Sequence, residues 1–302
     1  MWGHSLLSLI ASGYILFFFS EHLFWTQDNP DTSWLEYAVT WFAYTLLTFV
    51  LLTLIRRFRA RTMWALFLCG AVYGWLAEGV LAQTLYESLP LSVSWTGLAW
   101  HALLSVLVGL YAIPRALETG NRRTALMASC LGLFYGLWAV AWWSEPGSAV
   151  QPPLVFAQFA LTTSLPLVFA YRQAQDWKRG TPPNRSAEIS VYALLLLYFV
   201  LTLPAVSVAA LILPGLLGLV LLVLQRNCNA ELEAPLVSTP VPFVRYLWLL
   251  LVPATAVALY SAAYALDMRA PINILVYLLL TPLGFILLLL SFWRVWRRGG
   301  SR

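Results

Sequence analysis

Hydrophobic residues in this chain come in long runs rather than in the short stripes of a soluble domain. An α-helix rises about 1.5 Å per residue, so about 20 apolar residues cross the roughly 30 Å hydrocarbon core of a bilayer. The first such run is Leu6–Trp25, followed by a turn-forming segment, TQDNPDTS, at Thr26–Ser33. The second, Trp34–Ile55, ends in Arg56, Arg57, Arg59 and Arg61. Eight more follow: Met63–Gln83, Trp95–Ile113, Thr124–Trp143, Leu154–Tyr171, Ile189–Leu203, Ala205–Leu224, Val244–Leu266 and Ile272–Trp293. Ile189–Leu224 is one continuous apolar block, too long for a single crossing, and Pro204 divides it. The pattern predicts an all-α fold, a polytopic transmembrane helical bundle of about ten spans.

Charge sets the expected orientation. With an inside N-terminus and ten spans, all but one of the 18 Lys and Arg residues fall in cytoplasmic segments, the exception being Arg269. That is the segregation of the positive-inside rule, and a wrong span count would scramble it. Both termini are therefore expected in the cytoplasm. The first run lacks a basic leader and a small-x-small cleavage site, so it reads as a retained helix rather than a signal peptide.

Composition narrows the class further. Hydrophobic residues make up 61% of the chain and charged residues 10%, with a mean hydropathy of +0.76. Soluble domains carry about a quarter charged residues. The net charge of +5 is spread over short loops, which fits membrane topology and not nucleic-acid binding. A prokaryotic inner (plasma) membrane is the expected location. Three stretches organise the chain: an N-terminal bundle over 1–171, a polar cytoplasmic linker over 172–188 with Pro182 and Pro183, and a C-terminal scaffold over 189–302. Cys69, Cys130 and Cys228 are expected on the reducing side and show no CxxC spacing, so they read as packing residues.

Ionisable residues inside apolar spans are costly and mark sites of interest. In the third span Gly70, Gly74, Glu78 and Ala82 recur every four residues; in the fourth, Gly97, His101, Ser105 and Gly109 do the same. Small-residue stripes let two helices approach closely, so these consecutive antiparallel spans are expected to pack on each other. Measured from the inner ends of their spans, Glu78 lies about 22 Å deep and His101 about 18 Å. The two are within side-chain reach. Glu21, His22, Glu36 and Tyr44 lie at a similar outer depth, and Trp75 and Trp100 flank the acid and the base more deeply than the interfacial tryptophans. The last four spans carry no Asp, Glu, Lys, Arg or His in their apolar cores, which argues against two equivalent halves of an inverted-repeat carrier.

Glu78 and His101 are the expected catalytic pair, with Glu21, His22, Glu36, Tyr44, Trp75 and Trp100 as substrate-binding residues. Four readings follow. An enzyme acting on a lipid- or isoprenoid-like substrate would use the pair as acid and base. Glu21, His22, Glu78 and His101 form a mixed N/O donor set, but no short ligand spacing such as HExxH specifies a metal. A proton-coupled transporter would load and unload Glu78. A structural or accessory membrane subunit would use the pair to lock two helices. No motif specifies a cofactor; the expected partners are membrane lipid and either a lipid-like ligand or a partner membrane subunit. The chain has no adjacent glutamate pair, no GxxxxGK loop and no His-rich box.

Overall fold

The computed structural model describes residues 2–27, 32–145, 150–174, 184–227, 240–268 and 271–299. It is helical throughout, with no strand among the described residues. Ten helices are long and apolar enough to cross a membrane: α1 (Leu6–Trp25), α2 (Trp34–Arg57), α3 (Met63–Leu81), α4 (Leu91–Thr119), α5 (Asn121–Ser144), α6 (Pro153–Ala174), α7 (Arg185–Pro204), α8 (Val208–Asn227), α9 (Phe243–Ala265) and α10 (Ile272–Arg297). Length and composition are those of an integral membrane protein. Cys69 is buried in α3 and Cys130 is exposed on α5; Cys228, Lys178, Pro182, Pro183 and Arg269 lie outside the described residues.

Two helix boundaries depart from the apolar pattern for local reasons. The apolar block around Pro204 stays helical to Val206 and passes through a 3-10 turn, Ser207–Leu211, before α8 proceeds. Proline removes one backbone donor and crowds the carbonyl four residues earlier, so Pro204 weakens the turn before it, and Pro214 does the same to the turn around Ala210. The fourth helix starts at Leu91 rather than Trp95: Pro90 stands just before its first residue, and the Ser92 hydroxyl donates to the Leu85 carbonyl at 2.7 Å. It then runs in π geometry over Trp95–Ala112 and returns to α geometry at Ile113–Thr119. Pro114 lies inside this continuous helix, where its missing N–H removes one intrahelical donor, and the Gly109 carbonyl a turn earlier accepts from the Tyr171 hydroxyl at 2.8 Å.

Contacts divide the chain into two compact units, each assembled from three stretches. The first comprises Met1–Trp41, Gly109–Arg179 and Val237–Leu279. Within it α5 lies along α9, and α1 and α9 both pack on α6. Contact with α9 is backbone-close: a Cβ on Gly136 would fall 2.6 Å from the Ala256 carbonyl oxygen. At the end of α1 the Phe24 carbonyl accepts from the indoles of Trp138 at 2.7 Å and Trp142 at 2.8 Å. The last carbonyls of a helix lack intrahelical donors, so these tryptophans cap α1 from α5. Asn273, at the start of α10, donates to Glu145 at 2.6 Å.

The second unit comprises Phe42–Val108, Gly180–Leu236 and Leu280–Arg302. Here α3 packs on α8, and α7 meets the Ala77–Leu81 segment. The end of α2 is tied to the end of α8, where the Asn227 amide donates to the Phe58 carbonyl at 2.7 Å and the Arg59 carbonyl at 3.2 Å. Ser94 of α4 donates to the Thr281 carbonyl of α10 at 2.6 Å. These buried bonds satisfy carbonyls that apolar surroundings would otherwise leave unpaired.

Candidate functional site

The site grows from a close crossing of α3 and α4 inside the second unit. A Cβ on Gly74 would strike the Gly97 carbonyl oxygen and lie 2.8 Å from the His101 Cβ, so only glycine allows this approach. Gly70, one turn earlier, faces Ala102 and Val106, which sets an antiparallel register. Side chains on a helix lean toward its N-terminus, so on antiparallel helices Glu78 and His101 lean toward each other. The Glu78 carboxylate and the His101 Nε2 meet at 2.7 Å.

Both residues are buried, Glu78 7% exposed and His101 2%. The second carboxylate oxygen accepts from the Thr84 hydroxyl, and Thr96 also reaches the carboxylate. The Tyr73 ring stands edge-on to the imidazole at 5.7 Å, and Tyr44 lies tilted at 6.5 Å. Trp75 is wholly buried and donates its indole N–H to the Val93 carbonyl at 2.9 Å; Trp100, also buried, makes an edge contact with Trp95. Acid and base thus sit among two hydroxyl donors and an aromatic wall.

Helix geometry changes at the same places. α3 widens to π geometry over Ala77–Leu81, around Glu78, and His101 lies in the π stretch of α4. A π turn gives up the regular α hydrogen-bond pattern and is frequent at functional sites. Tyr86, beyond the end of α3, donates to the Gly79 carbonyl at 2.8 Å and steadies the widened turn. Its burial pushes the phenol pKa up to about 12.

Chemically, a carboxylate against an imidazole shares one proton. With the proton on either partner the pair stays neutral overall, the one arrangement that burial tolerates cheaply. Removing either partner leaves a charge or an unsatisfied polar group in an apolar interior.

Of the residues picked out by the pattern, Glu78, His101 and Tyr44 come together, with Trp75 and Trp100 on the same two helices as the pair. Glu21, His22 and Glu36 belong to the first unit. Glu21 accepts from the Trp25 indole at 2.9 Å. His22 is 8% exposed and ringed by Phe17, Phe159, Tyr37 and Tyr14, with centroids 4.5 to 6.4 Å away. Glu36 forms a reciprocal cap with Ser33: its carboxylate accepts from the Ser33 N–H at 2.6 Å, and the Ser33 hydroxyl accepts from the Glu36 N–H.

Thr84, Thr96 and Tyr73 were not marked by the every-fourth-residue stripes. Thr84 follows Glu78 by six residues, across the helix end, and Thr96 precedes His101 by five, a spacing in step only with a π turn. Among the described residues no group of three or more His, Cys, Asp or Glu side chains is placed to hold a metal ion. Comparison with family models, curated proteins and solved structures finds no match.

Proposed function

We propose that this chain is a multi-pass protein of a prokaryotic plasma membrane, with both termini in the cytoplasm, that binds a lipid- or isoprenoid-like molecule. Glu78 and His101 act on it as an acid/base couple. The observation that carries this reading is the 2.7 Å Glu78–His101 contact, made between two helices that both leave α geometry where these side chains arise. General acid–base chemistry needs a donor and an acceptor of one proton within hydrogen-bond reach, and this pair supplies both. Thr84 and Thr96 hold the carboxylate in place. The orientation rests on the segregation of Lys and Arg.

A second reading, a structural lock in an accessory subunit, is supported by the saturation of the Glu78 carboxylate and by the glycine-to-backbone crossing beside it. The two readings separate on lipid chemistry. Lipid extracts are compared from membranes holding equal amounts of wild type, Glu78→Gln and His101→Ala. The acid/base reading expects one lipid species to change in abundance between wild type and both variants. Identical lipid profiles in all three, with the variants folded, would refute it in favour of the lock.

A further inference from the structure

The second unit contains a cavity of about 840 Å³ on another face of α3. Leu76 and Val80 line it, and each is two residues from Glu78, which places the cavity roughly opposite the acid around the helix. Its volume is that of a pocket able to enclose most of a small ligand. Along α8 it extends from Leu213 to Gln225, about 18 Å at 1.5 Å per residue. The acyl layer of one leaflet is half the roughly 30 Å hydrocarbon core, so this length suits one chain and the start of its head group.

Polarity is distributed to match. The wall is hydrocarbon except for Arg57, the Tyr192 hydroxyl and Gln225. Those three share one end: Tyr192 senses the Arg57 charge, and Asn227, two residues after Gln225, is bonded to the Phe58 carbonyl. More cations stand at this end of the unit. Arg226 packs over the Trp296 ring at 3.2 Å, and Arg294 lies over Trp64 at 5.7 Å. Glu188, which also acts on Tyr192, leaves the local balance positive. The other end, around Val80 and Leu213, is apolar. Leu196 on α7 lines the cavity and is 62% exposed, so the space opens sideways along a helix that is itself mostly exposed, with Leu194, Leu197 and Leu201 among its exposed residues.

We infer that this cavity holds one chain of an anionic membrane lipid, with the head group at Arg57 and the tail running toward Leu213. The site is separate from Glu78 and His101. A basic rim adjoining an apolar slot recognises an anionic amphiphile by charge at one end and by chain burial along its length.

Native mass spectrometry of the full chain in mild detergent tests this, with phosphatidylglycerol or phosphatidylcholine of identical chains added. Wild type is expected to retain phosphatidylglycerol about tenfold better, equivalent to about 1.4 kcal/mol. Arg57→Gln should remove that preference. Leu217→Trp and Leu221→Trp, which fill the slot from partly exposed positions, should each reduce retained phosphatidylglycerol about tenfold. Glu78→Gln should leave it at the wild-type level. Equal retention of both lipids by wild type would overturn the inference, as would wild-type retention in both tryptophan variants. Loss of phosphatidylglycerol in Glu78→Gln would overturn the separateness of the two sites.

Discussion

Uncoupling Glu78 from His101 gives a quantitative test of the pair. His101→Ala leaves the Glu78 carboxyl group buried beside two threonines without its imidazole partner. Breaking a buried pair from one side costs about 3–5 kcal/mol, which at about 2–4 °C per kcal/mol is a Tm loss of about 6–20 °C. Glu78→Gln keeps the shape and one acceptor oxygen for the imidazole but forces a threonine hydroxyl to turn, a loss of about 1–3 kcal/mol. The double variant removes acid and base together and strands no charge. Its cost should therefore fall short of the summed single costs by about 1–3 kcal/mol. The assay is thermal unfolding of the four proteins in one detergent, followed by circular dichroism. Additivity within about 0.5 kcal/mol would show that the two groups do not interact energetically, and the reasoning from the 2.7 Å contact would fail.

Two further outcomes follow from the same crossing. Gly74→Leu should force α3 and α4 apart, with an overpacking cost of about 1–3 kcal/mol or more, and a disulfide introduced across the crossing should then form poorly; wild-type stability would contradict the contact between Gly74 and Gly97. Tyr86→Phe removes the donor to Gly79. Because the folded phenol titrates near 12 and the unfolded one near 10, its protonated form favours the folded state fully below about pH 10. That contribution is lost as pH rises through about 12, so the penalty of Tyr86→Phe should shrink over this window; a penalty constant from pH 9 to pH 12 would contradict it.

The helices were legible because lipid solubility is a strong constraint: about 20 apolar residues in a row, with cations at alternate ends, leave few other folds. Even the division near Pro204 follows from the length of the block and the place of its proline. The Glu78–His101 contact was legible because both lie on stripes of small residues whose period is that of a helix face. What the pattern hid is local. Thr84 joins Glu78 only because α3 ends and turns back, and Thr96 joins it only because α4 is π-wound; an α-helical wheel places neither correctly. Gly109, on the same stripe as His101, instead faces Phe19 and gives its carbonyl to Tyr171 at 2.8 Å, so one stripe serves two neighbours. The indoles of Trp138 and Trp142 cap α1, a role that depends on where a helix end falls in space. The slot beneath Arg57 was invisible because each of its four helices contributes an ordinary face of residues three or four apart, which the pattern does not distinguish from a face packed on another helix.

The central claim, a lipid-like molecule engaged by the acid and the base, is tested most directly by native mass spectrometry of protein released gently from its own membrane, without added lipid. Wild type should carry a bound species of defined mass that is missing from both Glu78→Gln and His101→Ala, while all three keep the same helical content. The lipid of the Arg57 slot should persist in all three. If wild type and both variants carry the same set of bound masses, Glu78 and His101 engage no such ligand and the pair is a helix lock.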